Sequence, residues 1–454
     1  MTDTQPPTVD DTYVEIRRRY ISGLFIQGVG GGLISLTSSY LIFQQTGRVA
    51  LVALIVVMTN VPQLLLAPVA NRLAHRLGGP KLYVLSWSLT YSLNLILFVL
   101  GLTGHLTAFT LLSWYLVQGV TMGIGTPAAG LVRTEISPPG DSSGFNAAAT
   151  RAIASATMIG LLLGGAVLAV VGPAWVYLAA GLSGVPVVLA VRPVSRTYVV
   201  SGSGGRSRLS DARAAQRTHP EVRAAFRFAV IIFILSGYAV TIPSIATRIG
   251  DRAIIQSVLQ AAGVFGGLFV VVGVRYIHRR SSWVAVQRIC VTVIAVCILY
   301  LGWVALRDHQ PIWYLATAVL AIVPLGFSLN LDTAILNGAI QIAAPVEARA
   351  PILTAFALIP VAAVPISQVI IGNLADLVSL PFALAVVGGL TLILVLVPHR
   401  TAARAAFTAL DDAHLFPESG LSGAMTIGAI EAAGLTIPDQ VLGPEIAGVE
   451  EREI

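Results

Sequence analysis

The 454-residue sequence is 56% hydrophobic and 11% charged, with 28 basic against 22 acidic side chains and a formal net charge of +6. Soluble globular domains run nearer about a quarter charged, which excludes that class. The cations sit beside apolar runs, so they describe membrane topology and not nucleic-acid binding. What is left is an all-α integral membrane protein: a span takes about 20 apolar residues at about 1.5 Å rise each, and runs of that length must be helical in lipid.

In chain order, residues 1–19 form a polar cytoplasmic tail ending in Arg17, Arg18 and Arg19, and the apolar run after them is too long for the core of a signal peptide. Twelve spans are expected, at 20–43, 50–71, 82–103, 108–131, 147–171, 174–191, 228–247, 254–275, 284–306, 312–342, 351–375 and 381–397. Arg72, Arg76, Lys81, Arg133, Arg151, the arginines of 192–227, Arg275, Arg279, Arg280, Arg288, Arg349, Arg400 and Arg404 fall on the side of the N-terminus; Arg48, Arg248, Arg252 and Arg307 fall on the other. The positive-inside rule then puts both termini in the cytoplasm, and a single lysine in 454 residues fits a GC-rich bacterial source, hence a bacterial inner membrane. Residues 192–227, rich in Ser, Gly and Arg, form a cytoplasmic linker between a six-helix bundle over 20–191 and a second over 228–398. That division suits a two-halved transporter with its site at mid-membrane. Residues 399–454 are an acidic cytoplasmic tail, expected to be disordered and a candidate docking segment for a protein partner.

Gly160, Gly164 and Gly165 in span five predict a close helix crossing, because small residues let membrane helices approach. Cys290 and Cys297, seven apart in an apolar span, are expected to pack; neither a disulfide nor a metal site is expected, and no cofactor. Ser35, Thr37, Ser38, Ser39 and Tyr40 in span one carry hydroxyls that either bond backbone carbonyls or line a pore. Thr59 and Gln63 in span two, Tyr115 and Gln118 in span four and Tyr238 in span seven are candidates for the wall of a mixed polar and apolar cavity; for the aromatics, simple packing is the alternative.

Span ten is the most polar. Asp332 is the one carboxylate placed deep in a span, where a charge costs roughly 2.5 to 3.5 kcal/mol. At about 100° per residue, Asn330, Thr333, Asn337 and Gln341 form one stripe, and Asp332 points about 145° from its centre. Two readings follow. Either Asp332 hydrogen-bonds a neighbouring helix while the stripe lines the cavity, or Pro324 and Gly326 distort the helix and turn Asp332 inward as the carrier of a coupled proton.

Three stretches carry a resemblance: Asn337-Gly-Ala-Ile-Gln341 through Pro345, Glu347 and Arg349 to Pro365 and Gly372-Asn-Leu-Ala-Asp376; Ala67-Pro-Val-Ala-Asn71-Arg72; and Gly160 to Gly165. In this order and spacing they resemble the major facilitator superfamily over Arg17 to Pro398, and within it exporters of the macrolide-efflux and enterobactin type. The resemblance implies the major facilitator fold of twelve transmembrane helices in two six-helix bundles, alternating access, antiport, and gating or structural roles for Asn71, Arg72, Gly160, Gly164, Gly165, Glu347 and Arg349. The sequence also departs from the family. Asn71 stands where Asp is usual, Ala67 where Gly is, Leu161 where Pro is, and Tyr115 where many proton-coupled members place Arg. A weakened charge latch after span two is therefore expected, without the usual proton-coupling residues.

The expected function is a secondary exporter of a small amphipathic molecule such as a drug, siderophore or other secondary metabolite, with a proton as candidate coupling ion. ATP drive is not expected, since no Walker-type loop is present. A membrane enzyme would need paired carboxylates or a His and acid cluster on a sizeable loop, and the outer loops are short. The alternative class is a transporter-fold protein that no longer pumps and acts as a membrane partner or receptor.

Overall fold

The computed structural model describes residues 9–138, 142–197, 216–250, 252–270, 273, 282–306, 311–344 and 349–395. Its elements are α1 (Val9–Thr46), α2 (Val49–Leu77), α3 (Gly79–Leu102), α4 (Ala108–Ile136), α5 (Ser142–Val171), α6 (Pro173–Ser183), α7 (Val185–Thr197), α8 (Pro220–Leu235), a 3-10 turn (Gly237–Thr241), α9 (Ile242–Ile249), α10 (Ala253–Leu268), α11 (Trp283–Val304), α12 (Trp313–Ala343), α13 (Arg349–Leu377) and α14 (Leu380–Leu394). Ten candidate spans are long and apolar enough to cross a membrane, and the shorter apolar helices α10 and α14 complete twelve passes. The acidic tail, the centre of the linker and Glu347 lie outside the described residues, as do the side chains of Asn71, Gln341 and Arg349.

Three of the departures from the expected spans have a clear local reason. Helix α1 starts at Val9, well before the apolar run. Its extension is tied down by Arg17, whose Nε donates to the Ile136 carbonyl at 2.7 Å. That carbonyl belongs to the last turn of α4, where backbone oxygens lack helical partners and favour a cation. The sixth pass breaks between α6 and α7 at Gly184, which Pro186 follows. The seventh pass narrows to the 3-10 turn, and the Gly237 amide freed there donates to Ser367 Oγ at 3.1 Å on α13.

Lipid tails are as apolar as leucine, so close packing rather than a hydrophobic drive holds such helices together. In the N-terminal bundle α1 crosses α5 through glycines on both sides. A Cβ on Gly28 would lie 2.8 Å from Ala156 Cβ, one on Gly164 would lie 2.9 Å from Leu36 Cδ2, and one on Gly160 would strike the Val29 backbone. The same device joins α2 to α4 at Gly119 and Gly123, and α10 to α12 at Gly263, Gly266 and Gly326. The pairing repeats between halves. Helices α1 with α5, α2 with α4 and α3 with α6 in the first bundle correspond to the seventh pass with α13, α10 with α12 and α11 with α14 in the second. The bundles meet where α2 packs on α13 and α5 packs on α10. Cys290 and Cys297 are buried free thiols within the second bundle.

The chain reverses sharply at Gly47 (φ 65°) and Gly172 (φ 85°), a left-handed conformation that side chains resist. These turns, with Gly250 and Ser379, mark what we call the far end; the starts of α1, α5 and α8 mark the near end.

Candidate functional site

A cavity of about 790 Å³ lies between the two bundles, within the range of small-molecule sites. Helix α1 contributes Ser35 and Ser39, α2 contributes Val52, Ile55 and Val56, and α5 contributes Thr150, Arg151, Thr157 and Leu161. From the second bundle come Tyr238, then Gln260 and Val264 of α10, Asn330 and Thr333 of α12, and Gln368 of α13. The wall is largely aliphatic, with uncharged hydroxyls and amides. Arg151 is its one charged residue among those described.

The far end is sealed by contacts that cross between bundles. Ser39 Oγ of α1 accepts from Gln256 Nε2 at 2.8 Å and from Gln260 Nε2 at 3.2 Å, both on α10. These glutamines stand one helical turn apart on one face, which brings both amides to a single hydroxyl. Asp376 at the end of α13 accepts from the Val49 amide at 2.9 Å with Oδ1 and from the Ala50 amide at 3.0 Å with Oδ2. Arg48 precedes α2 without a side-chain cap, so the first amides of that helix are orphans and Asp376 caps them from the other bundle. The backbones also touch: a Cβ on Gly372 would lie 2.8 Å from Ala50 Cα, and one on Gly165 would lie 2.9 Å from Ile254 Cα. Toward the near end the cavity is walled by Ala147, Thr150 and the exposed Arg151.

The sequence model of the Major Facilitator Superfamily matches residues 20–359. The chain belongs to the Major Facilitator Superfamily. Solved structures of this fold resemble it along nearly their whole length. A bacterial homolog of the human lysosomal transporter Spinster, inward-facing and unoccupied, is 13% identical, with a TM-score of 0.56 over 94% of this chain and 96% of that one. An auto-inhibited peptide transporter of the POT family is 13% identical, with a TM-score of 0.63 over 89% and 97%. The E. coli fucose:proton symporter FucP is 14% identical, with a TM-score of 0.52 over 87% and 99%. No curated protein matches the chain. Family and fold are those of transporters.

In this Major Facilitator Superfamily chain the sequence candidates divide into two groups. Tyr238, Asn330 and Thr333 line the cavity. Thr59, Gln63, Tyr115, Gln118 and Asn337 do not. Gly119 and Gly123 press α4 onto the backbone at Thr59 and Gln63, and the two side chains spend their hydrogen bonds on α2 itself, Thr59 Oγ1 on the Ile55 carbonyl and Gln63 Nε2 on the Thr59 carbonyl. Tyr115 is buried edge-on against Trp114 at 4.7 Å. Asn337 is fully buried, and Asn330 and Thr333 bond carbonyls of their own helix while facing the cavity.

Asp332 is fully buried on the other face of α12, where its Oδ1 accepts from Gln287 Nε2 of α11 at 3.3 Å. Helix α12 runs through Pro324 and Gly326 without a break, so nothing turns Asp332 inward. Arg72 is exposed near the end of α2 and has no ion pair among the described residues. The cavity role of Arg151 and the cross-bundle roles of Gln256, Gln260 and Asp376 are not apparent from local sequence. Two glutamines four apart in a mostly apolar span are the one signal that could have pointed to the α10 pair.

Proposed function

We propose that the chain is a secondary active transporter that exports a small amphipathic molecule by alternating access. The observation that carries this reading is the cavity itself, enclosed between two bundles, sealed at the far end by separable contacts and lined to an exposed arginine at the near end. With the arginine-rich near end in the cytoplasm of a bacterial inner membrane, and both termini there, the cavity faces the compartment from which an exported metabolite or drug is loaded. The bodies that rock are the halves 20–191 and 228–398, tethered by 192–227. Tyr238, Asn330, Thr333 and Gln368 are the mid-depth polar contacts for the substrate, Gly160, Gly164 and Gly165 hold the helix crossings, and Asp332 braces α12 against α11.

Spin labels at positions 48 and 378 report the far end, and labels at 72 and 223 the near end. Two populations are expected in lipid, one short at the far end and long at the near end, the other reversed. A single arrangement at both ends, together with no uncoupler-sensitive export of any compound in a chemically varied panel, would leave a non-pumping membrane partner as the better description.

A further inference from the structure

We infer that the cavity takes amphipathic anions, with Arg151 and Thr150 receiving the acidic head group and the aliphatic walls receiving the body. The inference deepens the transporter reading and rests on it. Arg151 belongs by sequence to the cations of the near end, yet it stands inside the span. Its neighbour Ile153 packs against Gly28 of α1, which puts Arg151 about six residues past Tyr20 in depth, or roughly 9 Å at about 1.5 Å per residue. Its Nε donates to the Ala147 carbonyl at 3.3 Å, and it has no ion-pair partner among the described residues. The described carboxylates Glu15, Glu135, Asp332 and Asp376 all lie off the cavity wall. Thr150 Oγ1, beside it on the wall, is buried and has no hydrogen-bond partner among the described residues.

A guanidinium exposed on a largely apolar wall, with no counter-ion among the described residues, gains most from an anion, because charge-assisted hydrogen bonds are roughly twice as strong as neutral ones. An amine would meet that cation with no described carboxylate on the wall to offset it. The rest of the cavity suits an apolar body: Ile55, Val56, Leu161 and Val264 supply the surface, and Asn330 and Gln368 can fix its orientation. A carboxylate or sulfonate on a hydrophobic frame would therefore lie with its acid toward the near end and its body toward the far-end seal.

The test uses the purified full-length chain in detergent and three matched fluorescent probes: 11-(dansylamino)undecanoic acid, its primary amide, and the amine of equal chain length. The acid is expected to bind at least about tenfold more tightly than the amide, with the amine weakest. Arg151→Gln should bring the acid down to the affinity of the amide and leave the amide unchanged, Arg151→Lys should restore part of the difference, and Thr150→Val should weaken the acid about threefold. Arg151 is exposed, so the variants are expected to elute as the parent does on size exclusion. Equal affinity for the three head groups, acid binding untouched by Arg151→Gln, or binding of none of the probes overturns the inference. The spin-label distances judge the transporter reading separately, because they need no ligand.

Discussion

The two ends of the cleft between the bundles are held by different physics. At the far end the closure is made of directional contacts: a carboxylate on two helix amides, two carboxamides on one hydroxyl, and glycines that let backbones touch. Toward the near end the cavity wall carries Arg151, a single charge that pairs with no described side chain. Hydrogen bonds contribute about 1 kcal/mol each when neutral and about 1.5 to 3 kcal/mol when charged. A far-end seal built from a few of them is worth a few kcal/mol, the scale on which two conformations can exchange. The same end also carries buried apolar side chains from both bundles, Ile42, Val49 and Val52 from the first and Ile245, Ile249 and Ile371 from the second, so opening the closure parts apolar contacts as well as hydrogen bonds.

The strongest way to break the contrast is Gly372→Leu. The new side chain would meet backbone at Ala50, which cannot yield, and overpacking of this kind costs typically about 1 to 3 kcal/mol. The far-end spin-label distance should lengthen in nearly all molecules, and transport should fall at least about tenfold. An unchanged distance would show that the seal lies elsewhere. Next comes Asp376→Ala, which uncaps α2; with water partly replacing the carboxylate, a loss of about 2 kcal/mol is expected, a shift toward the far-open population of roughly thirtyfold read from the same labels.

Gln256→Leu should act in the same direction with about 1 kcal/mol, a shift of roughly fivefold, since Gln260 still holds Ser39. Asp332→Asn sharpens the comparison by leaving it alone. Gln287 Oε1 and Asp332 Oδ2 both lack a partner among the described residues, and an amide at 332 could donate to the first while still accepting from Gln287 Nε2. Both distances and the transport rate should stay within about twofold of wild type at every pH; a flattened pH profile would instead put the coupled proton on Asp332.

Most of the architecture is legible in the sequence because span length and apolar content are long-range averages that single residues do not upset. Interruptions within spans are less so. Gly184 and Pro186 break the sixth pass and the 3-10 turn narrows the seventh, although both runs are apolar enough to read as continuous spans, and the Ser367 that receives Gly237 is far away in the chain. Orientation is harder still. Thr59 and Gln63 look like pore residues by composition, but glycines on a different helix decide which way that face of α2 turns. Arg151 is hidden for the opposite reason: it sits among topology-setting arginines, and only its depth beside Gly28 separates it from them. The helical angle that sets Asp332 apart from Asn330 and Thr333 is, by contrast, purely local, and α12 keeps it.

Adjacent glycines on α5 face different partners, Gly164 toward Leu33 and Leu36 of its own bundle and Gly165 toward Ile254 and Ser257 of the other. In the rocking motion proposed above, the first contact would be kept throughout, while the second would part and re-form in each cycle. Under that proposal one helix would work as a bearing, fixed on one side and sliding on the other. Backbone and small side chains against backbone make a surface with few rotamers to unlock and little apolar area to wet, so parting it meets low friction. Bulk added at position 164 would be felt as misfolding during biogenesis. The same bulk at 165 would leave a well-folded protein that turns over slowly, and a screen for expression alone would pass it as wild type.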